Sequence, residues 1–211
     1  TMLVVFDLWS DWIQSYPDSS KDTPSTFISL DNFRGGPDGD VIGLFYSDNE
    51  GGIEKACKEL GVCSEGSKPG DPRNNARAER CNQRVEHHLI TALVQAGLPA
   101  CFWPYAIELV CMLHNVTEAP DEGISPYEAR HGTQFPGKRI PLGAGVLFRP
   151  NPFQWKLPKP FARLRYGVFI RPGGRWRHEY YVSPLIDFIG KSLREDTSSA
   201  GFQQWHPHVT N

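Results

Sequence analysis

Residues 78–93 set the framework of this chain. Ala78, Cys81, Val85, Leu89, Ala92 and Leu93 recur at helical spacing. They predict a long amphipathic helix that reaches about Gln95 and stops at Gly97. Three apolar runs rich in strand formers precede it, Met2–Phe6, Trp12–Tyr16 and Val41–Tyr46. Between these runs, Thr23-Pro24 opens a helical stretch to Phe33, with proline suited to a first helical position. Ile53, Ala56, Cys57 and Leu60 mark another helix, with Gly61 as its stop. After the long helix, Trp103 to His114 is apolar nearly all round and predicts a buried helix. Ser125-Pro126-Tyr127-Glu128 fits a capping box, giving a short helix to about Arg130. Strands alternating with helices make an α/β domain.

This framework presents two carboxylates. Asp48 follows the Val41–Tyr46 run, at a strand end, and Glu79 falls in the first turns of the long helix. Hard divalent cations take oxygen ligands of this kind. A pair of such ions about 3.5–4 Å apart can drive in-line attack on a phosphodiester. Spacing alone equally fits a turn aspartate and a solvated helix glutamate. Arg77, Arg80 and Arg84 lie off the apolar stripe, either as a solvated face or as phosphate contacts. His87 and His88 read as surface or packed side chains, and His206 and His208 have no partner cysteines. The five cysteines form no C-x-x-C pair, and their odd number argues against a disulfide framework. Reduced, mostly buried thiols in an intracellular protein are expected.

The net charge of −2 hides a segregation of charge. Residues 1–69 carry 12 Asp and Glu against 5 Lys and Arg, whereas residues 138–178 carry 10 Lys and Arg and no acid. Such a basic segment points to an anionic partner. Its texture also differs. Gly143–Phe148, Leu164–Ile170 and Trp176–Val182 read as short strands between proline-rich loops, as in a small antiparallel barrel. Phe153, Trp155, Phe161, Tyr166 and Trp176 alternate with the charges. They either fill the barrel core or stack on bases while Arg163, Arg165, Arg171, Arg175 and Arg177 neutralise phosphates. Residues 191–211 form a polar tail. No apolar run approaches the roughly 18 residues of a membrane helix. The chain starts at Thr1 without a signal-peptide pattern and reads as a piece of something longer.

Several short motifs occur in a fixed order: Tyr46-Ser47-Asp48-Asn49, Pro69-Gly70-x-Pro72, Asn75-x-x-Ala78-Glu79-Arg80, Trp103-Pro104-Tyr105-Ala106, His114-Asn115, Ser125-Pro126-Tyr127-Glu128 and Ile140-Pro141-x-Gly143. In this order they resemble the integrase core of copia-type retrotransposons, from about residue 2 to about residue 190. The resemblance implies a ribonuclease-H-like mixed sheet flanked by helices over residues 1–135. A small basic β-barrel that binds nucleic acid would follow over residues 138–190.

The resemblance also implies two Asp and one Glu holding two Mg²⁺ or Mn²⁺ ions for polynucleotidyl transfer on DNA. Asp48 is then the second Asp and Glu79 the Glu, 79 − 48 = 31 residues apart. Asp7 is either the first catalytic Asp or an Asp of the family's second strand, the metal-binding Asp then lying on a strand before Thr1. The resemblance further implies DNA as partner, a homo-oligomer and a nuclear location. Two other readings stay open: a catalytically dead or co-opted DNA-binding remnant, and a different ribonuclease-H-like nuclease or transposase.

Overall fold

The computed structural model describes residues 1–48, 50–67, 76–117, 123–150, 164–173 and 180–188. The chain divides into two compact units, Thr1–Glu86 with His114–Thr133, and His87–Leu113 with Gln134–Asn211.

The first unit opens with strand β1 (Met2–Phe6) and strand β2 (Ile13–Pro17), paired antiparallel with Leu3 opposite Tyr16 and Val5 opposite Gln14. Asp7 donates its N–H to the Trp12 carbonyl, and Asp18 donates to that of Thr1. Antiparallel bonds alternate along a strand, so the odd residues of β1 face β2. Met2, Val4 and Phe6 then turn their backbone groups to the other edge, where no described strand pairs. Helix α1 (Thr23–Arg34) is capped by Asp22, whose carboxylate accepts from the Ser25 N–H, one residue earlier than the sequence predicts. It ends at Gly35, whose φ of 91° is left-handed. Helix α2 (Gly51–Leu60) ends the same way at Gly61.

The run predicted as a buried strand from Val41 forms strand β3 only over Phe45–Ser47. Val41 is 95% and Leu44 54% exposed, so residues 41–44 have nothing to bury against and stay irregular. Strand β4 (Ser64–Gly66) pairs parallel to β3. Val5, Leu30, Ile53, Ala56 and Cys57 form one core, with Leu3, Tyr16, Phe27, Phe33, Phe45, Leu60 and Val62 packed against it. Helices α1 and α2 thus cover both strand pairs. The α/β expectation holds, with the mixed sheet present as an antiparallel pair and a parallel pair.

Helix α3 (Ala76–Ala96) carries the expected stripe from its second turn on, with Cys81, Val85, Leu89 and Leu93 buried and Ala92 half-buried, whereas Ala78 in the first turn is exposed. Helix α4 (Trp103–Thr117) follows a 3-10 turn at Ala100–Phe102 and is buried on almost every side. Helix α5 (Pro126–His131) begins as expected, the Ser125 hydroxyl accepting from the Glu128 N–H at 3.2 Å.

In the second unit, strands β5 (Gly145–Phe148), β6 (Arg165–Pro172) and β7 (Tyr180–Pro184) form a three-stranded antiparallel sheet in the order β5-β6-β7. Phe169, Ile170 and Val182 are among its buried residues. Gly143, of the Ile140-Pro141-x-Gly143 motif, has φ 76°, and a Cβ there would lie 2.7 Å from that of Ala96. Only glycine suits both the dihedral and the approach. Residues 151–163 and 174–179, and the tail, lie outside the described residues, as do Pro69-Gly70-x-Pro72, Asn75, Arg163, Arg175 and Arg177. Among the described residues, no helix is long and apolar enough to cross a membrane.

Candidate functional site

The two carboxylates singled out from sequence occupy the local positions expected of them. Asp48 directly follows β3 and is exposed, and its carbonyl accepts from the Glu50 N–H at 2.7 Å. Glu79 stands exposed in the first turn of α3. A carboxylate there interacts favourably with the helix N-terminus. The loop that joins β4 to α3 lies outside the described residues.

Asp7 is placed differently. Its carboxylate turns back on the β1–β2 loop and accepts from the Trp9 N–H at 3.3 Å and the Ser10 N–H at 3.2 Å. It also accepts from the Ser10 hydroxyl. Three donors from one turn occupy most of what a carboxylate can accept.

Mg²⁺ or Mn²⁺ is the cofactor the sequence leads one to expect. Among the described residues, no three His, Cys, Asp or Glu side chains converge as metal ligands. Asp48 and Glu79 supply oxygen donors of the right chemistry, but a complete two-ion site does not fit the described residues.

Arg77, Arg80 and Arg84 are exposed on α3, at i, i+3 and i+7, hence along one face. Arg80 Nε donates to the Ala76 carbonyl at 3.1 Å. Arg84 reaches Asp11 at 3.8 Å. Asp11 has the left-handed φ of 59° and is held from the other side, its carbonyl accepting from His114 Nε2 at 3.1 Å.

The His114-Asn115 motif therefore does structural work that sequence reading left unexplained. Asn115 is fully buried; its Oδ1 accepts the Ile13 N–H at 2.9 Å and its Nδ2 donates to the Ile13 carbonyl at 2.8 Å. Ile13 belongs to the set of β2 residues whose backbone faces away from β1. The amide thus stands in for a neighbouring strand. Asn115 also begins the sequon Asn115-Val116-Thr117, and its burial leaves no acceptor for a glycan in the folded chain. A buried Asn in a mostly apolar helix was the signal available.

Of the five arginines singled out in the basic segment, Arg165 and Arg171 are described. Arg171 NH1 lies 2.5 Å from Glu108 Oε2, and its guanidinium sits 4.4 Å from the Tyr181 ring centroid. Burial pushes the Glu108 carboxyl up, and Arg171 pulls it partly back. One terminal nitrogen and the face of this guanidinium are thereby engaged within the fold.

No disulfide joins any of the five cysteines. Burial pushes the Cys81 thiol up to about 11 despite Arg84, which suits an inert packing residue.

No family model matches the chain. A retrovirus-related Pol polyprotein from transposon RE1 of Arabidopsis thaliana is 28% identical over 136 residues, 62% of this chain and 9% of that protein. The corresponding protein from transposon TNT 1-94 of Nicotiana tabacum is 35% identical over 63 residues, 30% of this chain and 5% of that one. The chain thus spans less than a tenth of these relatives. Among solved structures, a chain of a simian T-cell lymphotropic virus intasome aligns with TM-score 0.51 and 14% identity, over 85% of this chain and 68% of that one.

Proposed function

Starting from a chain related to the retrovirus-related Pol polyproteins of copia-type transposons, with the ribonuclease-H-like fold of retroviral integrases, we propose that it is part of a DNA-integrating enzyme. The reaction is polynucleotidyl transfer: a DNA 3′-hydroxyl attacks a phosphodiester of a second DNA. The observation that carries the proposal is the placement of Asp48 directly after β3 and Glu79 in the first turn of α3. In this reading they are two of three catalytic carboxylates. Asp7 serves the β1–β2 turn, supported by its three accepted bonds. The third carboxylate comes from a strand outside residues 1–211. The division of the sheet supports that assignment, since β1 and β3 lie over the same helices and, among the described residues, each pairs on one side only.

DNA is the partner, gripped by the α3 arginines and by the basic segment 138–178, where Arg163, Arg165, Arg175 and Arg177 provide positive charge. That segment is proposed as the barrel. The working form is a homo-oligomer acting in the nucleus. The test is a DNA-nicking and strand-transfer assay on the parent polypeptide in Mg²⁺. Asp48→Asn and Glu79→Gln should each abolish joining while DNA is still retained on a filter. Joining that survives Glu79→Gln overturns the proposal. One observation favours a second reading, a DNA-binding remnant without catalysis: no three-carboxylate group exists among the described residues. Strand joining by the parent chain decides between the two.

A further inference from the structure

The loop between β1 and β2 exposes two large apolar side chains at its tip, Leu8 at 63% and Trp9 at 81% exposure. An indole left in water forgoes the burial that a free tryptophan usually finds. The loop that carries it is nonetheless fixed. The Asp7 carboxylate holds the Trp9 and Ser10 N–H groups, and the Asp7 N–H holds the Trp12 carbonyl at 2.9 Å. Ser10 and Trp12, on either side of Asp11, are buried at 3% and 4% exposure. Asp11, two residues beyond Trp9, is held by His114 and stands 3.8 Å from Arg84. The rigid tip therefore lies beside the arginine-bearing face of α3. Arg84 and, one and two turns back, Arg80 and Arg77 extend exposed positive charge from it.

From this juxtaposition we infer that Trp9 and the Arg77–Arg80–Arg84 row form a binding site for unpaired nucleotides. The indole stacks on one exposed base, and the row follows the phosphates of the same strand. A flat π-face with adjacent cations fits single-stranded nucleic acid without regard to sequence. In the interior of a duplex every base is paired and stacked on both faces, so the indole finds a free face only at the two terminal pairs. A protein partner would also cover a tryptophan. The row of like charge favours a polyanion over an ordinary apolar protein surface. The two carboxylates of the loop do not oppose this: Asp7 is turned into its own backbone and Asp11 faces Arg84.

This inference rests on the DNA-handling reading above, and the test separates their failures. Fluorescence anisotropy is measured with a labelled 12-nucleotide oligothymidine strand and with a blunt duplex, on residues 1–211. Trp9→Ala should weaken single-strand binding roughly tenfold or more and change duplex binding by less than about twofold. Trp9→Phe should restore most of the loss. Arg80→Ala should weaken both and make binding less salt-sensitive. Trp9 is exposed, so the variants should melt with the parent, which a thermal scan verifies. Equal affinities of parent and Trp9→Ala for the single strand overturn the site while leaving DNA handling intact. A change in sedimentation but not in single-strand affinity also overturns it, in favour of a protein contact. Binding of neither probe by the parent overturns both readings.

Discussion

Asn115 and Ile13 define the residue scale, because two hydrogen bonds from one side chain close the exposed edge of β2. Asn115→Ala would leave a buried N–H and a buried carbonyl without partners. Such groups cost about 1–3 kcal/mol each. We expect a loss of about 2–4 kcal/mol in urea unfolding, and Asn115→Asp should lose the bond to the carbonyl as well. A loss below about 0.5 kcal/mol would mean that another group closes this edge.

Glu108 gives a pH signature. Its carboxyl is raised in the fold, chiefly by burial. The folded state then holds a proton that the unfolded chain releases first. Its contribution is full below the unfolded glutamate value and is lost as pH rises through the folded one. The unfolding free energy of the parent minus that of Glu108→Gln should fall as pH rises out of the usual carboxylate range. A rising difference would show that Arg171, not burial, governs this carboxyl. Neither residue was legible beforehand. Asn115 appeared only as part of a motif, and Glu108 as a lone charge in an apolar helix. Their partners are 102 and 63 residues away, and side-chain periodicity carries no such pairings.

At the scale of elements, the helices were the legible part. Their apolar spacing, the Ser125 cap and the Gly61 stop are local signals, and each marks the element it predicts. The strands were less so. Ser64-Glu65-Gly66 contains no strand former, and β4 exists because its backbone pairs with β3. The apolar run at Val41–Leu44 has the composition of a strand but no surface to cover.

Arg130 shows how short α5 is fastened. Its Nε and one terminal nitrogen bind Asp40 Oδ2 at 3.0 and 2.7 Å, and that nitrogen also donates to the Phe33 carbonyl at 2.5 Å. The guanidinium lies 4.9 Å from the centroids of both Trp12 and Phe33. Lysine lacks the planar fork and stacks less well. Arg130→Lys should cost about 1–2 kcal/mol, whereas Arg77→Lys on the exposed face of α3 should stay within about 0.5 kcal/mol. Thermal unfolding of the two variants measures the contrast. Equal effects would mean that the clamp contributes nothing specific.

For the whole molecule, charge segregation was visible in the sequence, and the fold class followed from the order of strands and helices. Which carboxylates could share a site was not visible, because that depends on how the strands pair, which side-chain periodicity does not carry. The proposed contact of segment 138–178 with DNA would release counterions for each phosphate neutralised. DNA affinity should therefore fall steeply with salt. Glutamine at Arg163, Arg165, Arg175 and Arg177 together should flatten that dependence. A flat response in the parent would remove this segment from the interface.

The most direct measurement compares strand transfer in Mg²⁺ by residues 1–211 with that by the parent polypeptide, each with its Glu79→Gln variant. With Asp48 and Glu79 as two of three carboxylates and the third outside this chain, the parent joins DNA and its variant does not. Residues 1–211 then bind DNA but join none. Full joining by residues 1–211, lost on Asp7→Asn, would contradict the account by placing the third carboxylate at Asp7; joining by the parent that survives Glu79→Gln would contradict it at the core.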